Sequence, residues 1–277
     1  MELSIIILNY KTRGMLKQCL RGLLLNHCSV EHEIIVVDNH SNDGTEMMMR
    51  EEFPLVTFIA SPVNGGYAAG MNLGIRQARG KYLLLLNTDI AVLGNAVGQL
   101  VMYMEDHAEV GIAGPKLLNP DGSVQTSCRS FPSVLMIALR RTPFGKLPAA
   151  RRQLRTFLML DWDHSSNRPV DWLLGACMIV RRSAMEKVGL LDERFFLYFE
   201  DVDWCRRFWE AGFQVHYLGK ATEIVHYHRR LSAEHGGFQA LFGYATRVHI
   251  ASGMKYFAKY SGARLPVRHS VHVHAQP

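Results

Sequence analysis

Three groups of acids interrupt apolar stretches of the chain, and each sits where a carboxylate can do chemistry. The run "GKYLLLLNTDIAV", residues 80 to 92, stops at Asn87-Thr88-Asp89. A departing diphosphate carries charge that a divalent cation neutralises, and magnesium or manganese is held by one or two carboxylates plus phosphate oxygens. Asp89 can be such a ligand, and Asn87, a neutral donor, suits a sugar or ribose hydroxyl; a helix cap is the plainer role for Asp89. In "HEIIVVDNHSNDGT", Asp38 comes directly off a buried strand. Its carboxylate can accept the N3–H of a pyrimidine base. Ser41 or Asp43 would cap the helix near Thr45 more naturally, although capping by Asp38 stays open. "FLYFEDVDWCRR" crowds Glu200, Asp201 and Asp203 against Tyr198, Phe199 and Trp204. Acids at a helix start, followed by Arg206 and Arg207, also satisfy the macrodipole and i,i+4 pairing. Aromatic surroundings can equally hold one carboxylate at a pKa suited to a general base. His226 and His228 in "EIVHYHRR" share one face of a strand and make no metal site by themselves.

Alternating strands and helices are what would bring these acids together. "LSIIILNY", residues 3 to 10, predicts a first strand, and residues 12 to about 27 a helix carrying Leu16, Cys19, Leu20 and Leu23 at helical spacing. A second strand follows over 33–37, then "VTFIAS", then a glycine-rich loop entering a helix over 67–78, with residues 80–92 as the fourth strand. Continuous apolar strands separated by helices indicate a parallel sheet covered on both faces. Ligands bind at the carboxyl ends of such strands, here Asn9-Tyr10, Asp38-Asn39 and Asn87-Thr88-Asp89. The glycines of "NGGYAAGMNLG" lack the position of a dinucleotide fingerprint, which follows the first strand. They permit close helix–strand packing, and amides at the helix start can meet an anion.

Further along, "VGIAGPKLLNPDGSV" reads as a strand and a turn at Asn119-Pro120-Asp121-Gly122. Residues 129–160 form a basic, proline-punctuated insertion over one face of the sheet. "VDWLLGACMIV" is a strand before a short helix, residues 202–211 are helical, "QVHYLG" is a strand, and "ATEIVHYHRR" closes the body. The expected division is 1–230 as the main domain, with halves 1–121 and 122–230, and 231–277 as an amphipathic helical extension and tail.

With 48% hydrophobic and 20% charged residues the chain is globular. Five scattered cysteines without a C-x-x-C pair point to a reducing compartment, the cytoplasm, and away from a zinc site. No basic leader precedes the first strand, and no apolar run approaches the about 18 residues of a membrane span. The charge is unevenly placed. Between Asp121 and Asp161 there are seven bases and no acid, after Glu234 five bases and no acid, and the remainder is acidic. Such segments suit an anionic membrane, a phosphate-bearing partner or nucleic acid, and equally a solvated basic face.

Taken in order, "SIIILNY", "IIVVDNHSNDGT", "NGGYAAGMNLGIRQARGKYLLLLNTD", "VDWLLGACMIVRR" and "FFLYFEDVDWCRR" resemble a family 2 glycosyltransferase. Within that family the chain resembles the bacterial rhamnosyltransferase-like branch that acts in cell-surface polysaccharide assembly. The resemblance covers roughly residues 3 to 230. It implies a GT-A type α/β fold: a mostly parallel, Rossmann-like sheet flanked by helices, with a small helical C-terminal appendage. Asp38 and Asn39 would hold the base of a dTDP- or UDP-sugar, with Asn9 and Tyr10 in the same pocket and Asn64, Gly65 and Asn72 nearby. Asn87-Thr88-Asp89 stands at the family's D-x-D motif, so Asp89 would hold Mg2+ or Mn2+ on the diphosphate. The asparagine departs from that motif, as the branch commonly does, and puts the need for metal in question. Glu200-Asp201 matches the base motif, with Asp201 the first choice and Glu200 the reserve. Arg207 matches the arginine after it, and His226 falls where some members carry a metal ligand.

The Q-x-x-R-W motif of processive synthases is absent, which implies transfer of one sugar. The acceptor would be a saccharide or a polyprenyl-diphosphate-linked one, reached at the inner face of the cell membrane by the basic segments 129–160 and 238–265. Other classes fit less well. A sugar nucleotidyltransferase would show a glycine- and base-rich loop where "NYKTRG" stands, and a non-catalytic nucleotide-sugar or lipid-binding relative would have lost Glu200-Asp201. Nucleic acid is not an expected partner, because no recognition motif accompanies the basic charge.

Overall fold

β1 (Leu3–Asn9), β2 (His32–Asp38), β3 (Thr57–Ala60) and β4 (Tyr82–Asn87) lie parallel in the order β3-β2-β1-β4. Helices α1 (Arg13–Leu25), α2 (Thr45–Glu52) and α3 (Gly66–Gln77) connect them. The computed structural model describes residues 1–26, 28–141, 147–227 and 243–266. Alternation along β1 feeds two cores: Ile5 and Ile7 join Leu16, Leu20, Leu84 and Leu86, whereas Ile6 joins Ile35, Met71, Ile75 and Leu85. Each such side chain contributes about 1.5–3 kcal/mol by leaving water. The glycines of the second motif let α3 lie close on β1. A Cβ at Gly74 would stand 2.4 Å from Ile6 Cγ2, and one at Gly70 2.5 Å from Leu8 Cδ1. Register then levels the polar strand ends, with Asn9 opposite Asp38 and Leu8 opposite Asn87.

The expected fourth strand is broken at the site. Thr88 and Asp89 form a turn, and β5 (Ile90–Val92) departs to the opposite edge of the sheet. After α4 (Ala96–Asp106) come β6 (Val110–Leu118), β7 (Cys128–Arg129), α5 (Val134–Arg141), α6 (Pro148–Phe157), β8 (Arg168–Pro169), β9 (Trp172–Leu173), β10 (Cys177–Arg181) and α7 (Arg182–Val188). The last elements are α8 (Glu200–Glu210), β11 (Gln214–His226) and α9 (Tyr244–Lys259). β10 runs antiparallel between β4 and β6, β11 lies parallel to β6, and β5 and β8 pair antiparallel with β11. The sheet is therefore mixed, with its parallel half at the N-terminal end. β7 and β9 form a separate two-stranded ladder.

Two boundaries differ from the expected ones, with consequences for the site. α8 starts at Glu200 rather than 202, which places Glu200 and Asp201 in its first turn. β11 runs on to His226 past an irregularity between Leu218 and Glu223, where a shorter strand was expected. In the basic insertion Phe131, Met136 and Phe157 join the core beside α8, as does Tyr256 of α9. The expected domain boundary at 230, together with His228 and the tail from 267, lies outside the described residues. Among the described residues no helix is long and apolar enough to cross a membrane.

Candidate active site

At the ends of β1 and β2, Asn9 Nδ2 donates to Asp38 Oδ1 at 2.7 Å and lies 3.1 Å from both Ser41 Oγ and Thr45 Oγ1. The Ser41 amide donates to Asp38 Oδ2 at 2.9 Å. Asp38, 8% exposed, thus orders the turn that leads into α2. Each of its oxygens keeps a second lone pair for an incoming N–H, so the capping and base-binding roles are compatible. Asn39 Nδ2 donates to Asn64 Oδ1 at 2.9 Å and to the Gly66 carbonyl at 3.0 Å, and Asn39 Oδ1 accepts from the Gly65 amide at 3.1 Å. Three non-glycine residues around this network, Lys11, His40 and Asn42, adopt left-handed backbone with φ of 55°, 64° and 52°. Such conformations cost about 1–3 kcal/mol each and persist where surrounding contacts over-determine them. Tyr10 is exposed at the rim. Beside it opens a cleft of about 490 Å³ lined by Lys11, Thr12, Arg13 and Asp43.

The break after β4 brings two distant residues together. β5 pairs antiparallel with β11 so that Ile90 faces His226, and the Tyr227 amide donates to the Asp89 carbonyl at 2.8 Å. His226 Nε2 then lies 3.3 Å from Asp89 Oδ2, while its Nδ1 is 2.8 Å from Gln125 Oε1. Gln125 is oriented by donating its Nε2 to Asn119 Oδ1 at 2.8 Å. Its Oε1 therefore accepts from Nδ1, which leaves Nε2 as the ring atom that faces the carboxylate. A nitrogen and an oxygen donor fit a divalent ion whose remaining ligands are phosphate and water. Among the described residues no cluster of three or more such donors exists.

The third acidic group rests on a strained turn. Tyr198 and Phe199 have φ of 67° and 72°, consecutive left-handed residues that swing Glu200 and Asp201 into the first turn of α8. Asp201 Oδ2 accepts from the Gly175 amide at 3.1 Å, and Asp201 Oδ1 from the Val202 amide at 2.8 Å. Glu200, 5% exposed, has no hydrogen-bond partner for Oε2. Burial, reinforced by the neighbouring Asp201, raises the Glu200 carboxyl well above the ordinary range. Burial also raises Asp201, opposed by its two amide bonds and the Arg129 guanidinium. Tyr67 joins the two sides of the cleft. Its hydroxyl donates to the Gly175 carbonyl and its amide to the Phe196 carbonyl at 2.7 Å. Burial first, then the fields of Glu200, Asp201 and Asp89, push its phenol well above its usual pKa. Gly66 (φ 84°) makes the Phe196 contact possible, because a Cβ there would stand 2.2 Å from the Phe196 carbonyl oxygen.

The structure thus gathers Asn9, Asp38, Asn39, Asn64 and Gly65 in one network, Asp89 with His226, and Glu200 with Asp201. Two expected site residues face elsewhere. Asn72 donates to the Leu191 carbonyl and to Glu193 Oε1, both at 2.9 Å. Arg207 donates to Asp203 Oδ2 at 2.8 Å and to the carbonyls of Val188 at 3.0 Å and Leu190 at 2.8 Å. Both tie down the segment between α7 and α8. Sequence reasoning missed Gln125, Tyr67 and the threonine link: Thr12 Oγ1 donates to Asn9 Oδ1 at 2.8 Å and lies 2.9 Å from Thr88 Oγ1, joining the Asp38 network to the Asp89 turn. Tyr67, directly after a glycine pair, carried a legible signal; Gln125 carried none.

The model of the family described as "Glycosyl transferase family 2" matches residues 4–189. An "N-acetylglucosaminyl-diphospho-decaprenol L-rhamnosyltransferase" of Mycobacterium tuberculosis is 31% identical over 70% of this chain and 66% of its own length. A "Low-salt glycan biosynthesis hexosyltransferase Agl10" of Haloferax volcanii is 29% identical over 74% of this chain. The chain spans 66% and 61% of the lengths of these two relatives. "Rhamnosyltransferase WbbL" of Escherichia coli is 24% identical over 92% of both chains. Among solved structures, GalNAc-T7 with UDP, GalNAc and Mn2+ superposes with a TM-score of 0.60 at 14% identity, covering 81% of this chain and 43% of that one. Residues 1–349 of S. aureus TarS in complex with UDP give 0.55 at 15% identity over 81% of this chain and 60% of that one. The architecture is that of the GT-A glycosyltransferases.

Proposed function

The chain belongs to glycosyl transferase family 2, and on that premise we propose that it moves a single hexose, rhamnose first among the candidates, from a dTDP- or UDP-sugar to a hydroxyl of a polyprenyl-diphosphate-linked saccharide, inverting the anomeric centre. The observation that carries this reading is the meeting of Asp201 and Tyr67 at Gly175, whose amide donates to Asp201 Oδ2 at 3.1 Å while its carbonyl accepts from the Tyr67 hydroxyl, with Asp89 held beside His226 at 3.3 Å from a distant segment. An inverting displacement needs negative charge managed on two sides of one carbon: a base at the incoming hydroxyl and neutralisation at the departing diphosphate.

Asp201 is the base. Two amide donors favour its charged form, whereas Glu200 Oε2 has none and burial favours its protonated form. Asp201 accepts the proton of the acceptor hydroxyl as that oxygen attacks the anomeric carbon and the nucleoside diphosphate leaves from the opposite face. Asp38, with Asn9 and Asn39, holds the pyrimidine. Asp89 and His226 would hold Mg2+ or Mn2+, which supplies positive charge to the diphosphate.

Acceptor access fits the basic segments. α5 packs beside α9, Ile137 Cδ1 lying 4.0 Å from the place a Gly253 Cβ would take. Val134 and Leu135 of α5, Leu147 before α6, and Arg151 and Arg152 of α6 are all exposed. Apolar side chains among bases suit the anionic face of a bilayer. Sedimentation with phosphatidylglycerol vesicles should be lost in Arg151→Glu/Arg152→Glu; binding unchanged by that pair rules the surface out.

Thermal shift tests the donor assignment, because a ligand that binds the native state raises Tm. A dTDP- or UDP-sugar should raise Tm, further with Mn2+, and Asp38→Ala should abolish the rise while retaining a cooperative transition. An equal rise with a GDP-sugar, or none with any donor, overturns the assignment.

A further inference from the structure

α9 lies outside the residues matched by the family model, yet it grips the acid turn from several sides. Ser252 Oγ donates to the Leu197 carbonyl at 2.8 Å. A Cβ at Gly253 would lie 3.3 Å from the Phe199 ring, and the His249 ring centroid is 5.2 Å from those of both Tyr198 and Phe199. Lys255 Nζ donates to the Arg194 carbonyl at 2.8 Å. Lys259 Nζ reaches Asp192 Oδ2 at 2.8 Å and Asp203 Oδ1 at 2.5 Å, and Tyr260 Oη donates to the same Asp203 oxygen at 2.9 Å. These contacts bracket the turn: Asp192 and Arg194 precede it, Asp203 follows it, and Leu197 is next to it.

The turn needs such a hold. Two successive aromatic residues in the left-handed region are each disfavoured, and no side chain caps the start of α8. Left to itself, the segment would relax to ordinary backbone, and Glu200 and Asp201 would rotate away from Gly175 and Tyr67. We propose that α9 is a positioning element of the active site, in which Ser252, through the Leu197 carbonyl, and Lys259, through Asp203, keep Tyr198 and Phe199 in the conformation that aims Asp201 into the cleft. The proposal rests on Asp201 being the base.

The test uses the full chain with dTDP-L-rhamnose as donor and a short-chain polyprenyl-diphosphate-linked N-acetylglucosamine as acceptor. Ser252→Ala and Lys259→Met should each lower kcat by about 10–100-fold, the effect of an ångström-scale misplacement. KM for the donor, set at Asp38 and Asp89, should stay within about twofold, and Lys259→Arg should recover most of kcat. Unchanged kcat in both variants overturns the proposal. So does a parallel loss of kcat, donor binding and Tm that arginine fails to rescue, since that marks general destabilisation. Asp201→Asn separates the two levels: if that variant keeps full turnover the base assignment has failed, whereas its inactivity beside wild-type rates in Ser252→Ala and Lys259→Met sinks the role of α9 alone.

Discussion

Exchanging each carboxylate of the Glu200-Asp201 pair for its amide should separate two residues that look alike in sequence. Asp201→Asn removes a carboxylate whose two amide donors, from Gly175 and Val202, favour its ionised form. Losing a general base costs about 10²–10⁴-fold in turnover. Stability should barely move. One of the two amides, from Gly175 at 3.1 Å or Val202 at 2.8 Å, would face the new Nδ2 group, at a cost of about 1–3 kcal/mol. Against that, the variant no longer desolvates a charge. Glu200→Gln should do the reverse. Burial and the neighbouring Asp201 favour the protonated form of Glu200, which glutamine mimics, so turnover should fall by less than about tenfold.

The stability sign follows from linkage. Because the folded-state pKa of Glu200 is raised, its favourable contribution is complete below the ordinary carboxylate range and is lost as pH rises through the raised value. Glu200→Gln should therefore match the parent in acid and melt higher at neutral and alkaline pH, the gap growing by about 1.4 kcal/mol per pH unit between the ordinary carboxylate pKa and the raised one. The parent's kcat should fall on acidification at a pH above the ordinary aspartate value, as Asp201 takes up its proton. Turnover by nucleoside diphosphate release and melting by circular dichroism, both across pH, measure all of this. Loss of about 10³-fold in Glu200→Gln beside near-normal rates in Asp201→Asn would reverse the roles and refute the reasoning from amide donors.

Four further substitutions probe the scaffold. Gln125→Leu should raise the Mn2+ concentration for half-maximal turnover by about 10–100-fold; an unchanged requirement would mean that the 2.8 Å contact to Nδ1 does not orient His226. Gly66→Ala should cost about 3 kcal/mol and lower Tm by about 6–12 °C, since its Cβ meets the Phe196 carbonyl at 2.2 Å. Gly122→Ala, at a similar φ in open space, should cost only about 1–2 kcal/mol, and equal losses would show that backbone strain alone is at issue. Asp192→Asn should lower Tm at neutral pH, where Arg194 and Lys259 stabilise the carboxylate. The difference should vanish as pH falls through the depressed pKa; a gap that persists in strong acid would assign Asp192 a role other than its charge.

The parallel half of the sheet was legible because its signal is local. Each of β1, β2 and β4 is a continuous apolar run ending in a polar residue, and β-branched or leucine-rich strands between helices admit few arrangements. Asp38 could be singled out for the same reason, as an acid stepping directly off a buried strand. What escaped was set by tertiary contact. The strand expected over 80–92 breaks because Ile90 and Val92 pair with β11 at the far edge, a partner over 130 positions away in sequence. α8 starts two residues early because the strained turn at Tyr198-Phe199 carries the chain into it. Asn72 and Arg207 lie in motifs that suggest a pocket, yet their side chains satisfy carbonyls of the α7–α8 connection, a role that residue type alone does not distinguish.

The Asp89–His226 pair shows why the asparagine at 87 is a weaker departure than its position suggests. In a D-x-D motif both acids come from one strand end, so the donor set is local. Here the second donor arrives across the sheet, and strand register decides whether it arrives. A slip of one residue along β11 would send the His226 side chain to the opposite face. The Tyr227–Asp89 backbone bond opposes that slip, as does the Gln125 amide, which donates to the His226 carbonyl at 3.3 Å. The irregularity at 218–223 absorbs the mismatch with β6 upstream and leaves 223–225 in register with 116–118. Under the proposed metal role of Asp89 and His226, charge at the diphosphate end is encoded in pairing geometry more than in a motif, and replacing Asn87 by Asp should change the metal requirement less than any substitution that shifts the β5–β11 register.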